Sequence, residues 1–117
     1  MSLISDMLSE VPDVVWKALA DPVRRKILEH LAVDDQTTGE IVELFGDRLS
    51  RTGVMKHLDV LEDARLIEIR REGRTRLNVL ERAPLKEVAC WISDRTRSHK
   101  RNLARLKRLA EESSATE

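Results

Sequence analysis

The sequence predicts a mainly α domain that carries one small β-hairpin. Three observations lead there. Leu is common, Gly and Pro number only 4 and 3, and aromatics make up 3% of the 117 residues, a composition that favours helices with thin apolar faces. Apolar residues recur at helical spacing along most of the chain. Between residues 66 and 80 the period changes to two, with Ile67/Ile69 and Leu77/Val79 alternating on either side of Glu72-Gly73. A chain of this length makes one domain with a modest core. We read residues 1–112 as that domain and 113–117 as a disordered polar end.

The elements follow in order. Residues 2–9 are weakly helical, an extra helix or a frayed arm. Pro12 suits the start of a helix that runs to Leu19 or Ala20 and puts Val15, Trp16 and Leu19 on one face. Asp21-Pro22 restarts the chain, with Asp21 as N-cap and Pro22 in the first turn. The helix Pro22–Ala32 buries Val23, Ile27, Leu28 and Leu31. Its Arg24, Arg25 and Lys26 read first as a solvated face and second as phosphate contacts. Val33–Thr38 is a loop, and Thr37 with Glu40 fits a capping box. The helix Thr38–Phe45 buries Ile41 and Leu44, with Phe45 at its edge. Gly46 stops it, Asp47-Arg48-Leu49 turn, and Ser50 caps a second helix that ends near Ala64. Val54, Leu58 and Leu61 form its apolar stripe. Strands Leu66–Arg71 and Thr75–Leu80 come next. Pro84 opens a last helix to about Glu112, with a broken seam of Leu85, Val88, Ala89, Ile92, Leu103, Leu106 and Ala110, and Trp91 and Leu109 nearby. Roughly 28 residues span about 42 Å, more than this core needs. The surplus reads as a contact with a second copy; a solvated helical tail is the alternative.

Helix, turn, helix and hairpin in this order make a winged helix-turn-helix, α-α-α-α-β-β-α. The second helix buries one side and presents Thr52, Lys56 and Asp59 on the other, flanked by Gly53 and Met55. A face that is small, polar and basic near its start suits the major groove of DNA. Gly53 costs about 1 kcal/mol relative to Ala inside a helix, and we read it as permitting close approach to the duplex. Arg70, Arg71, Arg74 and Arg76 crowd the hairpin tip, as wing arginines that meet phosphates or a minor groove would. The formal net charge is zero, yet residues 1–63 carry 7 Lys/Arg against 13 Asp/Glu and residues 64–117 carry 14 against 8. A phosphate backbone responds to the local surplus.

Other chemistry is sparse. Cys90 is the single cysteine, so no internal disulfide can form, and we read it as a buried small hydrophobe near the dimer interface, with a redox switch as the alternative. Met1–Val11 lacks the basic start of a signal peptide, and no apolar run nears the roughly 20 residues that span a bilayer. A soluble cytoplasmic protein without a membrane partner is expected. His57, at the edge of the stripe, reads as a packed or hydrogen-bonded histidine. There is no nucleophile–base set, no glycine-rich phosphate loop and no metalloprotease motif, so an enzyme is not expected, nor is a cofactor.

The runs WKALADPVRRKILEHL and LSRTGVMKHLDVLEDARLIEIRREGRTRLNVL resemble the ArsR/SmtB-type winged helix-turn-helix repressors. The likeness covers about residues 12–92 and rests on Ala20-Asp21-Pro22, on Lys56-His57-Leu58 followed by Leu61, and on Glu72-Gly73-Arg74. It implies a homodimer built on the first and last helices, through Val15, Trp16, Leu85, Val88, Trp91, Ile92, Leu103 and Leu106, that binds a double-stranded operator. It also implies groove reading by Ser50, Arg51, Thr52, Gly53, Met55 and Lys56. Three features depart from the pattern. The turn Gly46–Leu49 is about two residues longer than the family's commonest form. Arg65 stands where many members have glycine, which points to an unfavourable backbone conformation or an altered helix end there. The helix before the turn, Glu40–Phe45, lacks the Cys-x-Cys metal pair, and Asp94, Cys90 and His99 do not reproduce the other known ligand set, so no metal is expected. A metal- or redox-responsive repressor, or a winged helix used for protein–protein contact, are the alternatives.

Overall fold

The computed structural model describes residues 11–115, without the side chains of 98–100 and 113–115. The weak helix expected over 2–9 lies outside them. The order is α1 (Asp13–Leu19), α2 (Pro22–Val33), β1 (Gln36–Thr37), α3 (Thr38–Phe45), a 3-10 turn (Gly46–Arg48), α4 (Arg51–Asp63), β2 (Ile67–Glu72), β3 (Thr75–Leu80) and α5 (Ala83–Ala115). Every expected element from α1 onward is present, with ends shifted by one to three residues. Pro12 is the N-cap of α1 instead of its first residue. Residues 113–115, expected in a disordered end, continue α5.

Local chemistry sets the helix ends. The Asp21 carboxylate accepts from the N–H of Val23 at 2.8 Å and of Arg24 at 3.2 Å. Partial burial pushes the Asp21 pKa up, but these two backbone donors and the nearby charges of His57 and Arg24 hold it below the usual carboxylate value. Thr37 Oγ1 accepts from Glu40 N–H at 3.1 Å, one half of the expected capping box, and donates to the Glu40 carboxylate at 3.2 Å. Gly46 has φ 55 and ends α3.

The end of α4 is a Schellman motif without glycine. Arg65 N–H donates to Glu62 at 2.9 Å and Leu66 N–H to Leu61 at 3.0 Å, the paired 5→2 and 6→1 bonds. The motif forces a left-handed residue, and Arg65 takes it with φ 59. Leu66 is thereby turned inward to 0% exposure.

The core is one cluster. Val15, Ala18, Ile27, Leu28, Leu31 and Ile41 close over Val54, Leu58 and Leu61 of α4, and Leu66, Ile67 and Val88 complete it. Leu44, expected inside, is 40% exposed. α3 has only eight residues and turns Ile41 inward, leaving Leu44 on its rim.

A third strand was not anticipated. β1 pairs antiparallel with β3 through Gln36↔Asn78 and Thr37↔Leu77, so the sheet order is β1-β3-β2. The deepest residue of β3 is Asn78, 0% exposed, between half-buried Leu77 and Val79. Its Nδ2 donates to the Gln36 carbonyl at 3.1 Å and to Thr38 Oγ1 at 3.2 Å, while its Oδ1 has no partner.

Arg65→Gly should stabilise the fold by about 0.5–1 kcal/mol. It removes about 1–2 kcal/mol of left-handed strain and returns about 0.4–1 kcal/mol as unfolded-chain entropy. Urea denaturation at neutral pH checks this; a lower midpoint would mean that the side chain holds the junction.

Candidate nucleic-acid interface

The stripe Val54, Leu58 and Leu61 is at most 1% exposed, so α4 is docked along one side and its opposite side is free. Arg51, Thr52, Lys56 and Asp59 are exposed there, and Met55 is half-buried. Ser50 caps α4 by accepting from Gly53 N–H at 3.0 Å. Gly53 is constrained by packing rather than by approach to the duplex. A Cβ at this position would lie 2.8 Å from Leu49 Cδ1 and 3.1 Å from Leu49 Cγ. It would point into the turn, not onto the outer face. The glycine gives Leu49 room to pack over the start of α4.

The hairpin register explains where the wing arginines lie. Glu72 still pairs with Thr75, so the loop is Gly73-Arg74 and not Glu72-Gly73. Gly73 has φ 65 and Arg74 no positive φ, the pattern of a II′ turn. Ile69 opposes Asn78 and Arg71 opposes Arg76. With a side-chain period of two, both pairs lie on one face: its base is core and its tip is two facing arginines. Like charges directly opposite each other destabilise a hairpin. Arg70 lies on the other face and is held by Glu68 at 3.4 Å.

Arg51, Met55, Arg74 and Arg76, separated by up to 25 positions, line one polar cleft of about 460 Å³. The opposite wall, Thr37, Thr38, Gly39 and Thr75, was missed in the sequence. A capping box read for its local role gives no sign that the same corner faces the wing. Among the described residues the side chains of Arg51, Lys56, Arg71, Arg74 and Arg76 make no hydrogen bond or ion pair within the chain. Five unpaired cations on neighbouring elements, with a helix N-terminus between them, form a surface for a polyanion.

A helix-turn-helix domain model matches residues 19–70. The transcriptional repressor SdpR of Bacillus subtilis is 36% identical over 78 residues, 67% of this chain and 84% of that protein. The crystal structure of an ArsR family transcriptional regulator superposes with a TM-score of 0.69 at 30% identity, covering 75% of this chain and 89% of the other. An ArsR-like regulator from Rhodococcus sp. RHA1 gives 0.73 at 29% identity, covering 85% and 89%. The chain belongs to the ArsR family of transcriptional regulators. It is a DNA-binding regulator of the winged helix-turn-helix type.

Several residues of this ArsR-family chain lie elsewhere than expected. Val15, 2% exposed, and Val88, 9% exposed, belong to the protomer's own core and have no surface to offer a second copy. Trp16, Leu85 and Trp91 are half-buried against that core. Ile92, Leu103 and Leu106 are exposed. Trp16 and Trp91 meet edge to face at 5.3 Å, and Arg95 stacks over Trp91 at 4.3 Å. Cys90, expected as a buried residue near the dimer interface, is exposed on the single chain, because the turn of α5 that buries Val88 points it away from that core. Arg25 and Lys26 are exposed, as a solvated face requires, with Arg25 donating to the Leu19 carbonyl; Arg24 is not, its side chain only 16% exposed and donating to the carbonyls of Ala18 and Lys17. His57 meets Arg24 at 3.1 Å. Among the described residues no three His, Cys, Asp or Glu side chains converge so as to hold a metal, and no helix is long and apolar enough to cross a membrane.

Arg76→Thr should separate stability from binding. Removing one of two facing arginines should stabilise the hairpin by about 0.2–1 kcal/mol while weakening affinity for duplex DNA. Thermal denaturation and fluorescence anisotropy test the two halves; a loss of both would mean that Arg76 is needed by the sheet.

Proposed function

We propose that two copies of this chain pair through α1 and α5 and bind an operator as a repressor. The observation that carries this reading is the surface of unpaired Arg51, Lys56, Arg71, Arg74 and Arg76 around α4 and the wing. In it α4 enters the major groove. Arg51, Thr52 and Lys56 contact base edges, and a Lys or Arg bidentate to guanine gives about 1–3 kcal/mol of discrimination. Ser50 and the first N–H groups of α4 meet a phosphate. Arg74 and Arg76, with the Thr37–Gly39 corner, take backbone on one side of the groove, and Arg71 extends that contact along the wing.

Pairing is supported by the surface of α5. At 1.5 Å per residue its 33 residues extend about 50 Å. Ile92, Leu103, Leu106 and Leu109 are between 51% and 62% exposed. Leu85, Ala89, Ile92, Thr96, Leu103, Leu106 and Ala110 follow a heptad-type spacing. A two-fold arrangement sets two α4 helices about 34–36 Å apart, one turn of B-DNA. Bound at a promoter in the cytoplasm, such a dimer excludes polymerase.

Duplexes selected from a random pool provide the operator for the test. Lys56→Ala should lose preference for it over random DNA. Arg74→Ala should weaken binding to all sequences alike and reduce the salt slope by about 1. Leu103→Glu with Leu106→Glu should give a monomer in sedimentation. Wild-type behaviour in all three would overturn the assignment of groove, wing and dimer.

A further inference from the structure

We propose that Arg24 and His57 are positioning residues for DNA reading: through them the α1–α2 corner sets the rotation of α4. This rests on the reading of α4 as the groove-reading helix. The Arg24 side chain is only 16% exposed. Its Nε donates to the Ala18 carbonyl at 2.9 Å and its Nη2 to the Lys17 carbonyl at 2.8 Å. Both carbonyls belong to the last turn of α1. The planar fork is thereby held in place, and its Nη1 lies 3.1 Å from His57 Nδ1.

A guanidinium donates and cannot accept. In this contact His57 Nδ1 is therefore the acceptor. The charged groups around the ring are Arg24 and Asp21 from the α2 corner, with Lys56 adjacent on α4. His57 is half-buried, between the stripe residues Val54 and Leu58 on one side and the exposed face on the other. Apolar burial holds α4 down but is non-directional, so a helix docked by its stripe alone can roll. The bond from Arg24 is directional and fixes the roll that aims Arg51, Thr52 and Lys56. α1 in turn meets α5 through Trp16 and Trp91. The helices proposed to pair the subunits thus reach the groove-reading helix through one guanidinium.

The test is the ratio of affinity for the selected operator to affinity for random duplex, for wild type, His57→Leu and His57→Asn. His57→Leu fills the space without an acceptor. His57→Asn offers a carbonyl oxygen near the place of Nδ1 and does not titrate. At about pH 8 we expect His57→Leu to lose about tenfold in the ratio, with random-duplex affinity unchanged, and His57→Asn to keep it. The proposal is overturned if His57→Leu keeps the ratio at about pH 8, or if His57→Asn loses it as His57→Leu does. A wild type without operator preference at pH 8 would overturn the DNA reading, and this inference with it.

Discussion

One buried amide fixes the angle between the wing and the helices. Asn78 is fully enclosed in β3, and its Nδ2 is divided between the Gln36 carbonyl and the Thr38 hydroxyl. An amide donor left unpaired in an apolar core costs on the order of 1–3 kcal/mol. That penalty is avoided only when β1 and the first residue of α3 lie against β3 in the observed register. Slipping by one residue would move Asn78 to the opposite face and put an apolar neighbour under the Gln36 carbonyl. The unpartnered Oδ1 is a cost of that selectivity. With the register set, Arg76 lies two residues before Asn78 on the same face. It reaches the mouth of the cleft opposite Thr38 because the amide behind it cannot shift.

The two sides of α4 are governed by different physics. Val54, Leu58 and Leu61 are matched by Ile27, Leu31 and Ile41, and burial alone suffices for that side. The outer side carries charges with no partner in the chain, and the facing Arg71 and Arg76 oppose the hairpin that holds them. Folding does not require either feature. A sheet chosen for stability would have an opposite-charge pair at this position. The wing tip is a local departure from the consistency between sequence and fold seen elsewhere, as a binding surface tends to be.

Most of the architecture was legible because its signals are local. Stripe spacing, the Asp21, Thr37 and Ser50 caps, and the change of period at residue 66 each depend on residues within a few positions of one another. The strain at Arg65, φ 59, is one of the two outcomes that the family resemblance left open; the other was an altered helix end. What could not be read is non-local. β1 has two residues, too few for any periodicity, and its partner is about 40 positions away. Asn78 occupies a slot where the alternation of Leu77 and Val79 predicts the solvent side; a three-stranded sheet buries the other face. Val15 and Val88 were assigned to a second subunit because a sequence cannot say which chain covers an apolar side chain. Gly53 was read for its outward neighbours, although its constraint comes from Leu49 in the preceding turn.

The same limit applies to the arginines, and it decides the function. In the sequence Arg24, Arg25, Arg51, Arg70, Arg71, Arg74 and Arg76 are equivalent cations. The fold divides them. Arg24 and Arg25 are tied to carbonyls at the end of α1 and Arg70 to Glu68, so their charge is committed to holding the protein together. Arg51, Arg71, Arg74 and Arg76 are left without partners on adjoining elements. Unpaired cations held close together repel one another; dissolved salt screens that repulsion, and a polyanion with comparable charge spacing offsets it directly. A nucleic-acid backbone has such spacing. The net charge of zero therefore says little about the partner: the acidic residues that balance the total lie mostly in the first 63 positions, and the fold decides which arginines stay free on the surface around α4 and the wing.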